Sequence, residues 1–340
     1  MTNQSRTTCK IGIIGAGRIG KLHAENIQHK MPQYELCAIA DPNMDATWAR
    51  SLHIPVITEN STDILSNTDI DAVIIASPSH LHIEQIALAS QAGKAIFCEK
   101  PLGLLETDIR AILQTVKNQN TLLQVGFNRR FDPSFASLQT RVQSGEIGAP
   151  HLLRITSRDP SCPSKEYCAT SGGIFMDMTI HDFDMARFLT SSEVVEVYAS
   201  GSVLINPDFE TYNDVDTAIV QMRFANGALA VIDNSRQAVY GYDQRVEVFG
   251  ATGMLLANNQ LENTVMHYSK AGTSEANPLH FFLERYEQAY LSELKSFYDS
   301  WLNKKPASVT GNDGLQALRI ANAANQSMQT NQPVKINQEQ

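Results

Sequence analysis

The sequence predicts an α/β protein with two successive domains. The first is a doubly wound parallel sheet, and the second is an α+β domain with a large, mostly antiparallel open sheet. Three observations predict this arrangement. Apolar runs alternate with helical patterns over roughly the first 125 residues, the first run breaks into glycines, and strand patterns then follow one another with few helices. We place the domains at residues 1–126 and 127–340.

The first strand and the turn after it have the pattern of a dinucleotide-binding site. A β-branched run at residues 11–14 leads into residues 15–20, which read G-x-G-x-x-G. Gly15 permits the tight turn, Gly17 lets a pyrophosphate approach the backbone, and Gly20 lets the next helix lie close. The phosphates would lie over the N–H groups at the start of that helix. The predicted cofactor contacts here are Gly15, Gly17, Arg18, Ile19 and Gly20.

A carboxylate follows the second strand and favours NAD over NADP. Residues 34–40 form this strand, and Asp41 ends it about 20 residues after the last glycine, where a carboxylate binds the adenosine ribose. Asp41 would also repel the extra phosphate of NADP, and Pro42 and Asn43 offer that phosphate no cation. The alternative is that Asp41 merely caps a helix at residues 45–52.

Strands and helices continue to alternate through the rest of the first domain. The strands are predicted at residues 71–77, 95–98 and 122–127, and the helices at residues 45–52, 80–91 and 106–118, with a further helix ending at 64–69. Parallel strands need such crossover connections, so the alternation predicts a parallel, doubly wound Rossmann sheet.

From about residue 151 the pattern changes to consecutive strands. They are predicted at residues 151–157, 194–199, 217–224, 228–234, 245–249 and 254–258, and the helices of this part at residues 132–144, 179–189, 281–301 and 314–328. Asn226-Gly227 is a hairpin signal between two of these strands. Few helices remain to cover the second face of this sheet, so we expect self-association through it, as a dimer or tetramer.

Composition limits the classes of partner. The formal net charge is −9 over 340 residues, which argues against non-specific binding to nucleic acid or to an anionic membrane surface. No apolar run is long enough to cross a bilayer and the first ten residues are polar, so we expect a cytoplasmic protein. The five cysteines include no C-x-x-C pair, and we expect reduced thiols. No metal site is predicted.

Three stretches carry residues suited to hydride-transfer chemistry. Lys100 follows a predicted strand, where it could stabilise an alkoxide, although it could equally be a surface lysine. Asp177 and His181 share a helix face at a spacing of four, with Asp184 three residues further on. His181 is suited to remove a hydroxyl proton, and Asp177 could orient its ring. The structural alternative is that Asp177 caps the helix and His181 fills a polar core position.

The third stretch consists of donors and aromatic side chains at residues 128–132 and 235–245. A polyhydroxylated substrate needs paired donors and acceptors without one dominant charge, which these residues could supply. The alternative for them is a solvated, charged loop.

These motifs together resemble the Gfo/Idh/MocA oxidoreductases over essentially the whole chain. The resemblance rests on the glycine turn with His23, on Glu99-Lys100-Pro101, and on residues 126–130 and 173–181. Within that family, FNRRFDPSF, MDMTIHDFDMARF and SRQAVYGYDQR are most similar to the inositol dehydrogenases. The resemblance implies a Rossmann domain that binds NAD, a second domain that commonly assembles homotetramers, and oxidation of myo-inositol to its 2-keto derivative.

The resemblance also implies roles for individual residues. Lys100 would bind the reacting hydroxyl, His181 would be the general base and Asp177 its partner, and the Lys100–Pro101 peptide would be cis. The implied cofactor contacts further along the chain are Ser77, Glu99 and Lys100, and the implied substrate contacts are Arg130, Asp159, Asp177, His181, Asp184 and Tyr240.

Two alternatives remain open at this point. A dehydrogenase of the same family that acts on scyllo-inositol, chiro-inositol or an aldose would need the same lysine and base. A non-catalytic NAD-binding regulator would not need the lysine, aspartate and histidine together, and all three are present. The loop at residues 160–171, with Cys162 and Cys168, has no clear match and could shape substrate choice.

Overall fold

The structure is a computed structural model that describes residues 7–337, and this part of the chain divides into two compact units. The first unit comprises the residues up to Asn128 together with Tyr290–Gln316. The second comprises Arg129–Ala289 together with the residues from Ala317 onward. The segment 290–316, which the sequence pattern assigns to the second domain, joins the first unit because Leu294 and Phe297 are fully buried in that unit's core.

Strands and helices alternate through the first 126 residues. The strands are β1 (Cys9–Ile14), β2 (Tyr34–Ala40), β3 (Val56–Thr58), β4 (Ala72–Ile75), β5 (Ala95–Glu99) and β6 (Leu123–Gly126). The helices are α1 (Arg18–Lys30), α2 (Ala46–Ser51), α3 (Ser61–Leu65), α4 (His82–Gln91) and α5 (Glu106–Asn118). The sequence pattern does not predict the three-residue strand β3, and it extends α3 past its actual end.

The predicted doubly wound sheet is confirmed. All six strands are parallel, in the order β3-β2-β1-β4-β5-β6. The order reverses between β1 and β4, and open α/β sheets bind ligands beyond the carboxyl ends of their strands at such a switch point. The glycine turn leaves β1 at that place.

The rest of the chain contains the remaining helices and strands. The helices are α6 (Pro133–Gln143), α7 (Lys165–Cys168), α8 (Ile174–Asp177), α9 (Thr179–Thr190), α10 (Asp208–Thr211), α11 (Phe282–Arg285), α12 (Glu287–Asn303) and α13 (Gly311–Thr330). The strands are β7 (Pro150–Arg158), β8 (Val194–Ser202), β9 (Thr217–Phe224), β10 (Leu229–Ser235), β11 (Asp243–Gly250), β12 (Met254–Ala257), β13 (Met266–Ser269), β14 (Gly272–Glu275) and β15 (Val334–Lys335).

The second unit contains a seven-stranded sheet in the order β12-β11-β7-β10-β9-β8-β15. Every neighbouring pair is antiparallel except β7 with β10, so the predicted mostly antiparallel sheet is confirmed. Arg158 lies opposite Ser235 in the parallel pair. Because parallel strands end at the same edge, Asp159 and Arg236 leave the sheet side by side.

One face of this sheet carries an apolar row that is open to solvent. Met254, Phe249, Leu152 and Leu229 lie in register across four neighbouring strands, and each is between 40% and 51% exposed. We call these four residues the outer row. An exposed apolar patch on a sheet face is typical of an interaction surface.

Two expectations from composition can be compared with the structure. All five cysteines are free thiols, as expected. Within residues 7–337, none of the helices has both the length and the apolar character that crossing a bilayer requires.

Candidate active site

The glycine turn after β1 has room for a ligand at one of its three glycines. A Cβ built at Gly15, where φ is +98°, would lie 2.5 Å from the carbonyl of Ala76, and one at Gly20 would lie 1.9 Å from the Gly15 oxygen. Among residues 7–337, apart from the two chain neighbours, no atom would lie within 4 Å of a Cβ at Gly17. The fold itself therefore requires glycine at positions 15 and 20. The open space at Gly17 is what the approach of a pyrophosphate needs.

The helix that follows this turn has no acidic side chain of its own at its positive end. Gly17 is the N-cap of α1, and the first turn of α1 contains no acidic side chain. The free N–H groups and the dipole of this 13-residue helix would favour a phosphate there. The glycine turn and the helix start thus fit a dinucleotide.

Asp41 is held against the glycine turn rather than used as a helix cap. Its Oδ2 accepts a hydrogen bond from the Ala16 N–H at 2.6 Å, and its Oδ1 accepts one from the Asn43 N–H at 2.7 Å. The cap of α2 is Asp45, which accepts from the Trp48 N–H at 3.1 Å. The capping alternative for Asp41 is therefore wrong.

The predicted contacts at the ends of β4 and β5 lie in the same unit as the glycine turn. Ser77 follows β4 and donates from Oγ to Gln85 Oε1 at 2.6 Å. Lys100 follows β5 directly and is half-buried, and its peptide bond to Pro101 is cis, as the resemblance implies. Glu99 is buried and accepts from the Lys100 N–H through Oε2 at 3.3 Å.

Asp177 and His181 lie on two short helices rather than on one. Asp177 ends α8, Met178 breaks the helix, and His181 lies in the first turn of α9. Asp177 Oδ1 accepts from the Tyr167 hydroxyl at 2.6 Å, and its Oδ2 accepts from Arg236 Nη1 at 2.9 Å. These two donors fix the direction of the carboxylate. The sequence pattern did not identify Tyr167, and it named Arg236 only as one of the donors at residues 235–245.

Arg236 is the centre of a buried cluster of carboxylates. Its side chain is 2% exposed, and Nη1 lies 3.8 Å from Asp159 while Nη2 lies 4.0 Å from Asp214. Burial alone would lower the pKa of Arg236, but the negative charges of Asp177, Asp159 and Asp214 outweigh burial and raise it. Asp214 also accepts from the Ile174 N–H at 2.8 Å, which fixes the start of α8.

Asp159 is a carboxylate of this cluster whose pKa is raised. Burial raises its pKa to about 6, and the charge of Asp177 adds to the effect while that of Arg236 opposes it. Its carboxylate and that of Asp177 thus share one guanidinium. The predicted substrate contacts Asp159 and Asp177 are brought together in this cluster.

Arg130 and Asp184 bind each other. Arg130 donates from Nε at 2.8 Å and from Nη2 at 2.6 Å to the two carboxylate oxygens of Asp184, whose side chain is almost fully buried. Asp182, two residues before Asp184, is buried and accepts from Arg129 and, at 2.9 Å, from the Asn234 amide. Asp182 and Asp184 of α9 are therefore each held by a buried ion pair with an arginine.

Tyr240 lies on the exposed loop between β10 and β11. Its hydroxyl donates to Asp243 Oδ2 at 2.6 Å and accepts from Arg158 Nη1 at 3.2 Å. Arg158 also pairs with Asp233, so the tyrosine is part of a chain of polar groups at this sheet edge.

The comparisons with known proteins cover both units. Residues 9–127 match the oxidoreductase family with an NAD-binding Rossmann fold, and residues 135–256 match the GFO/IDH/MocA C-terminal domain. The chain is 51% identical to the uncharacterized oxidoreductase YrbE of Bacillus subtilis, over 96% of each chain. It is 45% identical to the myo-inositol 2-dehydrogenase of Thermotoga maritima, over 96% of this chain and 98% of the relative.

A solved structure extends the comparison to a bound state. Scyllo-inositol dehydrogenase from Lactobacillus casei, with bound NAD(H) and scyllo-inositol, superposes with a TM-score of 0.91 at 35% identity. The match covers 96% of this chain and 99% of that one. The chain described here belongs to the Gfo/Idh/MocA family of oxidoreductases, and its first unit is an NAD-binding Rossmann domain.

Proposed function

We propose that the protein oxidises myo-inositol to 2-keto-myo-inositol (scyllo-inosose) with NAD. The observation that carries this proposal is the 45% identity, over nearly the full length of both chains, to a myo-inositol 2-dehydrogenase. The identity to the scyllo-inositol dehydrogenase of known structure is lower, at 35%. The glycine turn, with its open position at Gly17, supports the choice of cofactor.

The proposed roles follow from the chemistry of each side chain. The glycine turn and Asp41 would hold NAD, which supplies the hydride acceptor when it is bound. His181 takes the proton of the reacting hydroxyl, and Asp177 stabilises the imidazolium that this forms. Lys100 binds the same hydroxyl and stabilises the negative charge that develops on its oxygen.

The remaining polar residues would bind the other ring hydroxyls. Arg130, Asp159, Asp184 and Tyr240 supply both donors and acceptors, as a neutral polyol requires. Arg130 and Asp184 are already paired, so a hydroxyl would have to insert its hydrogen bonds into an existing network. Asp159, which is partly exposed, and the exposed Tyr240 are more open to a ligand.

Substrate choice is tested by measuring NADH formation by the purified protein with NAD and a panel of myo-inositol, scyllo-inositol, chiro-inositol and glucose. We expect the highest kcat/KM with myo-inositol. A higher kcat/KM with another cyclitol or with glucose would be compatible with the proposed reaction, but that compound would then be the substrate in place of myo-inositol. NAD binding without turnover on any of them would contradict the proposal and favour a non-catalytic sensor.

The role of His181 is tested by His181→Ala. Removing a general base lowers turnover by roughly 100-fold or more, while NAD affinity should stay nearly unchanged. The matched control is His267→Ala, which removes an exposed histidine on the β13–β14 hairpin. Normal turnover of the His181 variant at saturating NAD, with weakened NAD binding, would contradict the assignment.

A further inference from the structure

Three titratable side chains meet in the interior of the first unit, next to the strand end that carries Lys100. His23 comes from α1, Glu99 from the end of β5 and Glu293 from α12. One nitrogen or oxygen atom of each lies within 4.8 Å of the others, and all three residues are buried. We call these residues the buried triad.

The triad contains one more carboxylate than its imidazole can neutralise. His23 Nε2 lies 2.7 Å from Glu99 Oε1, so these two side chains form a hydrogen-bonded pair. Both carboxyl oxygens of Glu293 are buried, and neither has a hydrogen-bond partner among residues 7–337. Two ionised carboxylates at this distance in a buried site repel each other strongly, and the second charge must be removed or compensated.

Among the described residues, no cation compensates the charge of Glu293. Gln124 Nε2 donates to the backbone carbonyl of Glu293 at 2.9 Å, and Gln124 Oε1 is a buried acceptor without a donor in the described chain. No lysine or arginine of that part pairs with Glu293. Burial raises the pKa of Glu293 well above its usual range, and the charge of Glu99 raises it further.

The triad also fixes Glu99, the residue before Lys100. Glu99 Oε2 accepts from the Lys100 N–H at 3.3 Å. A Cβ at Gly126, on the neighbouring strand β6, would lie only 2.9 Å from that oxygen. The Glu99 side chain is therefore confined between the β6 backbone and His23, and its backbone leads directly into Lys100.

We infer that Glu293 is kept as a neutral carboxylic acid and that, with His23 and Glu99, it positions the strand end from which Lys100 acts. The part of this inference that concerns catalysis rests on the proposed role of Lys100. A metal ion is the other way to compensate two carboxylates. The direct bond between His23 and Glu99 favours the proton, because an ion would have to separate those two atoms.

The first experiment compares Glu293→Gln with Glu293→Leu, and Glu287→Gln serves as the control on the exposed start of the same helix. Glutamine reproduces a neutral group that both donates and accepts, so kcat and KM should stay within about twofold. Leucine fills a similar volume without hydrogen bonds, so kcat should fall about tenfold or more at unchanged NAD affinity. Equal impairment of the glutamine and leucine variants would overturn the inference.

Two further measurements do not depend on turnover and separate this inference from the proposed function. The infrared spectrum at pH 8 should contain a carboxylic acid C=O band that Glu293→Gln removes. The NMR signal of Lys100 in lysine-labelled protein, assigned by its loss in Lys100→Ala, should move in Glu293→Leu and stay in place in Glu293→Gln. The absence of the band, or one equivalent of tightly bound metal by elemental analysis, would overturn the inference even in an active enzyme.

Discussion

The environment of Asp159 makes the stability of the protein depend on pH. Its folded pKa is about 6, whereas an aspartate in an unfolded chain titrates near 4. Between these values the unfolded chain releases the proton while the folded chain keeps it. The free energy of unfolding therefore falls as the pH rises from about 4 to about 6, and the loss is complete above that range.

Asp159→Asn should remove this penalty. We expect the free energy of unfolding to increase by about 1–2 kcal/mol at pH 8 and to change little at pH 4, because one pKa unit corresponds to about 1.4 kcal/mol. The expected gain is reduced because the side chain is 27% exposed. Urea unfolding at the two pH values measures it, with Asp69→Asn as a control on an exposed aspartate. Equal stabilisation at both values would mean that packing, not charge, is responsible.

The candidate residues that the sequence pattern could name are those placed by local pattern. The glycines, Asp41 and Lys100 each stand at a fixed place relative to a strand end. Glu293 was missed, and Arg236 was named only among the donors at residues 235–245 and not as the partner of Asp177. The partners are remote in the sequence, since Asp177 is 59 residues from Arg236. The sequence does contain a signal for the burial of Arg236, because every second residue of β10 is buried and Arg236 continues that alternation. Glu293 similarly lies on the apolar stripe of α12 beside Leu294 and Phe297.

At the scale of the element, the glycines of the turn between β1 and α1 differ in whether the fold itself requires them. A side chain at Gly20 would collide with the Gly15 carbonyl, whereas one at Gly17 would meet only open space. Packing therefore requires the glycines at positions 15 and 20, and we propose that the pyrophosphate lies beside Gly17.

The paired variants Gly17→Ala and Gly20→Ala test that separation. Gly17→Ala should leave the melting temperature almost unchanged and weaken NAD binding about tenfold or more, a loss of about 1.4 kcal/mol. Gly20→Ala should destabilise the fold by about 1–3 kcal/mol, because the added methyl overpacks the helix against the turn. Calorimetric titration and thermal unfolding measure the two effects. Normal NAD affinity in Gly17→Ala would place the pyrophosphate elsewhere.

Two breaks between helices, at Met178 and at Tyr286, could not be predicted from the sequence pattern. Met178 separates Asp177 from the helix that carries His181, so the two do not share one helix as predicted. The helix predicted at residues 281–301 is interrupted at Tyr286. Near the second break, Arg285 pairs with Asp132 and the Tyr286 hydroxyl donates to Gln244. Such long-range bonds are absent from a local pattern, and they outweigh helix propensity.

At the scale of the whole molecule, the outer row favours self-association through the second sheet. Its four apolar side chains are in register on the open face, and Leu152 is about half exposed. We propose that a second copy of the chain covers this face in a dimer or tetramer, as the resemblance implies.

Leu152→Asp together with Phe249→Asp should disrupt that assembly. A carboxylate in each apolar position would be buried without a partner, so we expect a smaller species by light scattering after size exclusion. Val265→Asp changes an exposed apolar residue outside the outer row and should leave the mass unchanged. An unchanged mass in the double variant would exclude this face as the interface.

The first unit is built from two separate parts of the chain, the residues up to Asn128 and Tyr290–Gln316, so it can be completed only late in synthesis. Phe97 packs edge-on against Phe297 at 5.9 Å, and the Tyr34 hydroxyl donates to the Leu294 carbonyl at 2.7 Å. The ribosome makes the cofactor-binding strands first and these covering residues much later, on the order of ten seconds at about 5–20 residues per second. During that time Phe97 and Tyr34 lack the residues that cover them. The domain that is begun first in translation is therefore among the last parts to be completed.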